Sequence, residues 1–150
     1  MIQPTGRALI FRLGETGFFL DLAWVVEICE QFAECFDSGR TDLERRIVGA
    51  LFFRQTYIPV IDPALHLNIQ SQLAATDKTA LILRGGEGNW ALLVDRVVEI
   101  SPVARLRPCE LPSLLKKTVG SYYSQVSLLK NEPMIGFEPE QYYGSTPGVT

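Results

Sequence analysis

Two segments of the chain, residues 8–28 and 80–100, are versions of the same 21-residue sequence. They align without a gap and agree at 11 of 21 positions, whereas unrelated segments would agree at about one. The longest identical block is Val-Val-Glu-Ile, which occupies residues 25–28 and 97–100. A repeat of this kind indicates a tandem duplication, in which two like halves pack on each other.

Each repeat begins with the pattern of a β-hairpin. Two apolar runs flank a glycine-containing turn, and they span residues 8–13 and 18–22 in the first copy and 80–83 and 90–94 in the second. Short apolar runs separated by such turns are typical of hairpins, because glycine supplies the positive φ that tight turns require.

A weaker match continues downstream and predicts a second hairpin in each half. Residues 52–63 parallel residues 128–139, and both stretches close with an acid followed by proline. Proline cannot donate to a strand ladder, so each acid-proline pair predicts a strand end. The connector that precedes the first of these hairpins, about residues 29–48, is predicted to end in a helix that Thr41 caps, with Glu44 three residues later.

Composition excludes several classes of protein. The apolar fraction of 47% and the charged fraction of 21% are those of a globular domain. The net charge is −3 and the basic residues form only isolated pairs, so we expect no nucleic-acid partner. No apolar run reaches the roughly 18 residues that span a bilayer, and the N-terminus lacks a secretion-signal pattern. The chain is therefore predicted to be cytoplasmic and not membrane-inserted.

Few residues of the chain would support catalysis or bind a metal. His66 is the only histidine and lies in an apolar setting, which is more typical of a packed residue than of a general base. Cys29, Cys35 and Cys109 show no CxxC spacing, which predicts free thiols, with a Cys29–Cys35 redox pair as the alternative. We expect no enzyme activity, no cofactor and no metal.

Five motifs recur in the order and spacing of a known family. They are Phe-Arg-Leu-Gly at 11–14, Val-Val-Glu-Ile at 25–28, Val-Gly-Ala-Leu-Phe-Phe-Arg at 48–54, Ile-Pro-Val-Ile-Asp at 58–62 and Leu-Leu-Val-Asp at 92–95. With them the chain resembles the CheW-like domain of bacterial chemotaxis signalling. It differs from the family pattern at Phe52, where the family has Asn, and at Gln55, where the family has a turn glycine. The connector before Gly49 is also longer than usual.

The resemblance implies a mainly β fold: two interleaved, five-stranded, SH3-like barrels with short connecting helices and a hydrophobic seam between them. The implied domain covers residues 7–143, with subdomains at about 7–68 and 79–143 that can exchange strands. Residues 1–6 and 144–150 are predicted to be flexible ends.

The function implied by the resemblance is that of an adaptor without an active site. Such a domain joins the cytoplasmic tip of a methyl-accepting chemoreceptor to the regulatory domain of a CheA-type histidine kinase. The alternative is a divergent scaffold, or a competitor for the kinase's docking surfaces, that acts outside the receptor array.

The candidate partner-binding residues are Val25, Glu27, Ile28, Phe52, Arg54 and Asp62, of which Glu27 and Arg54 are the ones matched to the family pattern. Glu27 and Arg54 are expected to lie close together and form a salt bridge that shapes the receptor-facing surface, or else an ordinary exposed ion pair. Val25 and Ile28, three apart on a helical turn, would offer apolar surface to a partner or belong to the core. Phe52, if exposed, would anchor a partner. Asp62 would otherwise be a strand-end residue that turn amides satisfy.

Overall fold

The computed structural model describes residues 4–67, 69–71, 73–109 and 123–140. These residues form mainly strands: β1 (Arg7–Leu13), β2 (Thr16–Asp21), β3 (Val25–Cys29), β4 (Phe36–Asp37), β5 (Ile47–Phe53), β6 (Thr56–Ile61), β7 (Thr79–Leu83), β8 (Trp90–Val94), β9 (Arg96–Pro102), β10 (Arg107–Cys109), β11 (Tyr123–Leu129) and β12 (Glu132–Phe137). A short helix, α1 (Pro63–Leu67), follows β6, and single 3-10 turns follow several strands. The predicted fold class, mainly β with short connecting helices, is confirmed. Within the described ranges, no helix is long and apolar enough to cross a membrane.

Several parts of the chain that figure in the sequence predictions lie outside this description. They include residues 1–3 and 141–150, which contain most of the ends predicted to be flexible, and residue 68 at the boundary between the predicted subdomains. The side chain of His66 lies outside it as well.

The described strands form two sheets of identical topology. Sheet I has the order β3-β7-β8-β6-β5-β4, and sheet II has the order β9-β1-β2-β12-β11-β10. Replacing each strand by its counterpart in the other half converts one order into the other. Each sheet holds six strands rather than the expected five, because the short strands β4 and β10 join at an edge.

The two halves exchange their first hairpins. Hairpin β1–β2 comes from the first half but lies in sheet II, and hairpin β7–β8 comes from the second half but lies in sheet I. Parallel pairings complete the exchange: β2 meets β12 with Gly17 opposite Met134, and β6 meets β8 with Val60 opposite Ala91. The sheets are therefore interleaved, and neither is built from one half alone.

The exchanged hairpins are buried on both faces. In β1, Ala8 and Ile10 pack inside sheet II, whereas Leu9 and Phe11 point into the seam between the sheets. All four side chains are almost fully buried, and the duplicated residues of β7 divide between two clusters in the same way. Burial on both faces explains why these strands are continuous apolar runs rather than alternating ones.

The seam holds the largest hydrophobic cluster of the described structure. The rings of Phe11 and Phe18 stack at 5.4 Å, and the ring of Phe137 meets both edge-on at 6.0 and 6.5 Å. Trp90 contributes from sheet I. Each large side chain that is fully buried stabilises the fold by about 1.5–3 kcal/mol, so the sheets cannot separate without a large cost.

Ser71 and Lys78, in the linker between the two halves, form a buried cluster of charged and polar groups. Their partners are Asp62, which follows β6, and Asp95, which follows β8. Lys78 Nζ lies 3.0 and 3.2 Å from the carboxylate oxygens of Asp62 and 3.9 Å from Asp95. Ser71 Oγ donates to Asp95 at 2.9 Å, and the backbone N–H of Gly14 donates to the same carboxylate at 2.9 Å. The cluster therefore fixes the tip of hairpin β1–β2 against the linker.

The predicted helix near Thr41 is wrong. Asp42 and Ile47 exchange backbone hydrogen bonds of 2.9 and 2.8 Å, so only residues 43–46 lie between them, as a tight turn. Arg46 in this turn has a φ of 64°, which a helix does not allow. The strand-like pairing with β5 takes the place of the helix.

The hairpins β5–β6 and β11–β12 turn through two residues of positive φ. These are Arg54 at 49° and Gln55 at 67° in the first, and Lys130 at 53° and Asn131 at 65° in the second. Two consecutive residues of positive φ make the turn whose twist matches a hairpin. The turn fixes the register of the strands, with Phe53 opposite Thr56.

We expect Gln55→Gly to stabilise the protein by about 0.5–1 kcal/mol, because the left-handed conformation is costly for a residue with a Cβ and free for glycine. Thr56→Gly, one residue further inside β6, is the matched control and is expected to destabilise. Urea unfolding of the two variants measures both changes. Equal destabilisation by both substitutions would contradict backbone strain at Gln55.

Candidate functional site

The Val-Val-Glu-Ile block lies in strand β3 and not on a helical turn. The register against β7 shifts between Val25 and Glu27, so that Val26 is an extra residue in a β-bulge. Because of the bulge, Val25 and Ile28 both pack against the seam cluster although they are three residues apart, and Val26 packs inside sheet I. Val25 and Ile28 are half-buried, so they lie at the edge of the core and also reach the surface.

The duplicated block in β9 has the same bulge. Its register against β1 shifts between Val97 and Glu99, and Val98 is the extra residue. The longest identical block of the repeat therefore encodes a bulge at an edge strand of each sheet.

Glu27 and Arg54 do not form the expected salt bridge. Glu27 is exposed, and its carboxylate accepts a hydrogen bond from Cys29 Sγ at 3.3 Å. Arg54 is exposed at the tip of the β5–β6 hairpin, where its Cζ lies 4.8 Å from the centre of the Phe53 ring. Arg54 has a positive φ because it is the first residue of the two-residue turn. The turn therefore fixes the direction in which the Arg54 side chain leaves the backbone.

Glu27 changes the chemistry of the neighbouring thiol. Burial of Cys29, its hydrogen bond to Glu27 and the negative charge of that carboxylate raise the pKa of Cys29 to about 11, with a further contribution from Cys35. The three cysteines are free, in agreement with the prediction. A thiol with a raised pKa is a poor nucleophile, because only its thiolate reacts.

We expect Cys29 to react slowly with a disulfide reagent in the double variant Cys35→Ser, Cys109→Ser. Folding raises its pKa from 9.0 to about 11, so at pH 8 the folded protein holds about a hundredfold less thiolate than the unfolded chain. The stability contributed by the neutral thiol is present below pH 9 and is lost as the pH rises through about 11. Adding Glu27→Gln should accelerate the reaction; an unchanged rate would exclude Glu27 as a cause.

An exposed aromatic pair lies on β5 and β6 of sheet I. Phe52 is 46% exposed and Tyr57 is 45% exposed, and their rings meet edge-on at 5.1 Å. The two residues are directly opposite each other in the register that the two-residue turn imposes. Sequence reasoning singled out Phe52 but missed Tyr57, although a two-residue turn at 54–55 would have placed it there.

The pair borders an open depression of about 420 Å³ whose other wall is the first connector. It is lined by Glu34, Cys35, Phe36, Asp37, Ser38, Phe52 and Tyr57. The guanidinium of Arg40 lies over the Tyr57 ring at 3.9 Å, and its Nε is 3.0 Å from Asp37. The first connector therefore forms one wall of this depression.

The fold holds this connector close to β5. Strand β4 pairs with β5, and Phe36 packs edge-on against the buried Phe32 at 5.6 Å. Gly49 makes the approach possible, because a Cβ there would lie 2.8 Å from the carbonyl oxygen of Asp37.

Asp62 does not belong to this surface. It is buried, its carboxylate is paired with Lys78, and it also accepts a hydrogen bond from the backbone N–H of Ala64 at 3.2 Å. A carboxylate that is buried and fully occupied is not presented to a partner, so the structure replaces the partner-binding assignment of Asp62 by a role in the fold.

The chain was compared with known families and structures. Residues 7–142 match the sequence model of the CheW-like domain. Among solved structures, the scaffolding protein TtCheW from Thermoanaerobacter tengcongensis matches with a TM-score of 0.73 and 20% identity, over 95% of this chain and 92% of that chain, which shows a shared fold. No curated protein sequence is a significant match. Because the family model spans most of its length, the chain belongs to the family of CheW-like domains.

Proposed function

We propose that this protein is a chemotaxis-type adaptor that acts in the cytoplasm by binding alone. It binds the tip of a methyl-accepting chemoreceptor and the regulatory domain of a CheA-type histidine kinase, and it thereby couples the two. CheW-like domains are scaffold and adaptor domains rather than enzymes, which supports a role without catalysis. The observation that carries the proposal is the match of residues 7–142 to the CheW-like domain, and the exposed Phe52–Tyr57 pair offers a binding surface on that fold.

The proposed receptor-facing residues all belong to sheet I: Val25, Glu27 and Ile28 lie on edge strand β3, and Phe52 and Arg54 lie on hairpin β5–β6, which β7 and β8 separate from β3 in the sheet order. The glutamate of sheet I differs from the duplicated one in sheet II. Glu99 accepts a hydrogen bond from Ser101 and lies 3.5 Å from Lys130 Nζ, and these contacts lower the pKa of Glu99. Glu27 has no ion-pair partner among the described residues, so its charge is available to a partner.

We expect Glu27→Arg to weaken binding of a receptor-tip fragment about tenfold, because it reverses a charge at the interface. Its side chain is exposed, so far-UV circular dichroism and melting temperature should stay at the wild-type values. Calorimetric titration of both proteins measures the change. Unchanged affinity would remove Glu27 from the surface.

The proposal is tested by titrating the full chain with the kinase regulatory domain and a receptor-tip fragment from the same cell. Saturable binding of both ligands at once, as a ternary complex in size-exclusion chromatography, is the expected result. Failure to bind either ligand would overturn the coupling role.

A second function, that of a divergent scaffold or competitor outside the array, is favoured by one observation. Phe52 and Gln55 of hairpin β5–β6 replace the Asn and the turn glycine of the family pattern. Saturable binding of the kinase domain without binding of the receptor tip would select this alternative.

A further inference from the structure

Equivalent segments of the two halves carry opposite charge. Residues 25–37 contain no lysine or arginine and four acids: Glu27, Glu30, Glu34 and Asp37. Residues 97–109, the equivalent segment of the second half, contain one acid and two bases: Glu99, Arg105 and Arg107. The two sheets have the same topology, so the two segments occupy equivalent places in the fold. They differ in charge only because their sequences differ.

The aromatic pair is also confined to the first half. In the second half, Leu128 and Pro133 occupy the positions that are equivalent to Phe52 and Tyr57, and they are opposite each other in the same register. Among the described side chains, the exposed pair Phe52 and Tyr57 on sheet I is accompanied by the four acids of residues 25–37.

Arg40 shows that a guanidinium fits this surface. It lies between the face of the Tyr57 ring, at 3.9 Å, and the carboxylate of Asp37, at 3.0 Å. The same depression also contains Glu34, which has no ion-pair partner among the described residues, and Phe52, which is nearly half exposed. An aromatic ring beside a carboxylate attracts a cation through both the ring quadrupole and the negative charge.

We propose that the depression beside Phe52 binds a basic side chain, arginine or lysine, from the docking segment of a protein partner. The inference rests on the proposed function only in taking the occupant to be a protein. Phe52 supplies the aromatic contact and Glu34 supplies the countercharge, as Tyr57 and Asp37 do for Arg40. The partner segment is therefore basic where it meets the first connector.

The test is a titration of the ¹⁵N-labelled full chain with N-acetyl-arginine methylamide, followed by NMR. The control probe is N-acetyl-citrulline methylamide, which has nearly the same shape without the charge. We expect the arginine probe to shift the amide signals of residues 34–38, 52 and 57, and to bind about two- to fivefold tighter than the citrulline probe.

Two variants separate this site from general attraction to an acidic protein. Phe52→Leu keeps an apolar side chain and removes the aromatic ring, and Glu34→Gln removes the countercharge. Each should weaken arginine binding about two- to fivefold, while the dispersed NMR spectrum of each variant reports an intact fold.

Equal affinity for the two probes, shifts confined to other acidic residues, or indifference to both variants would overturn the inference. These outcomes do not depend on the adaptor role. If the arginine probe binds here and no ternary complex forms, the coupling role fails and the basic-side-chain site stands. If the ternary complex forms and the probe does not bind here, the coupling role stands and the basic-side-chain site fails.

Discussion

Replacing Lys78 by methionine is expected to destabilise the protein by about 3–5 kcal/mol. The lysine side chain is only 4% exposed, and its Nζ contacts both carboxylate oxygens of Asp62, with Asp95 at 3.9 Å. Methionine keeps much of the apolar stem, so the main change is the loss of the positive charge. Asp62 and Asp95 are then left in a buried site without a cation. Urea unfolding followed by circular dichroism gives the free energy of unfolding of both proteins.

Lys130→Met is the matched control for this prediction. Lys130 is also paired with a carboxylate, Glu99 at 3.5 Å, but its side chain is 71% exposed. Its replacement should cost less than about 1 kcal/mol, because water screens exposed ion pairs. A cost below about 1 kcal/mol for Lys78→Met as well would show that the buried carboxylates do not depend on the lysine.

Phe52→Ala is expected to weaken binding of a receptor-tip fragment at least about 30-fold, the loss that is typical of an aromatic hot spot. The ring is 46% exposed and packs mainly against Tyr57, so its removal should have a small effect on stability. Calorimetric titration of the fragment into wild type and variant measures the affinity, and the melting temperature reports the fold.

Ile100→Ala tests whether this effect is specific to sheet I. Ile100 lies on edge strand β9 of sheet II and is also 46% exposed. An equal loss of receptor affinity in both variants would contradict a receptor site centred on Phe52. Unchanged affinity in Phe52→Ala would remove the aromatic pair from the interface.

The duplication and the hairpins could be read from the sequence because both are local patterns. The strand ends before Asp62 and Glu138 followed from the prolines after them. Which sheet receives hairpin β1–β2 did not follow, since an apolar strand buried on both faces fits either sheet equally well. The exchange is decided by pairings between distant strands, such as Gly17 with Met134.

The candidate site was predictable where one residue type carried the signal, as at Phe52. It was not predictable where a contact depends on the fold. The pairing of Asp62 with Lys78 needs the end of β6 and the start of β7 to meet in a buried site. The expected salt bridge of Glu27 with Arg54 assumed a proximity that the turn at Arg54 does not provide. The apparent helical spacing of Val25 and Ile28 arises instead from a β-bulge.

The parallel pairing of β2 with β12 has a consequence for synthesis on the ribosome. Hairpin β1–β2 leaves the exit tunnel well before β12, yet its sheet is complete only when β12 has emerged as well. Until then, the face of the nascent hairpin that packs inside sheet II lacks its native cover from Leu129 and Met134. Such long-range pairing slows folding and prolongs exposure to aggregation. Chaperone demand during translation should therefore be greatest in the interval before residues 132–137 appear.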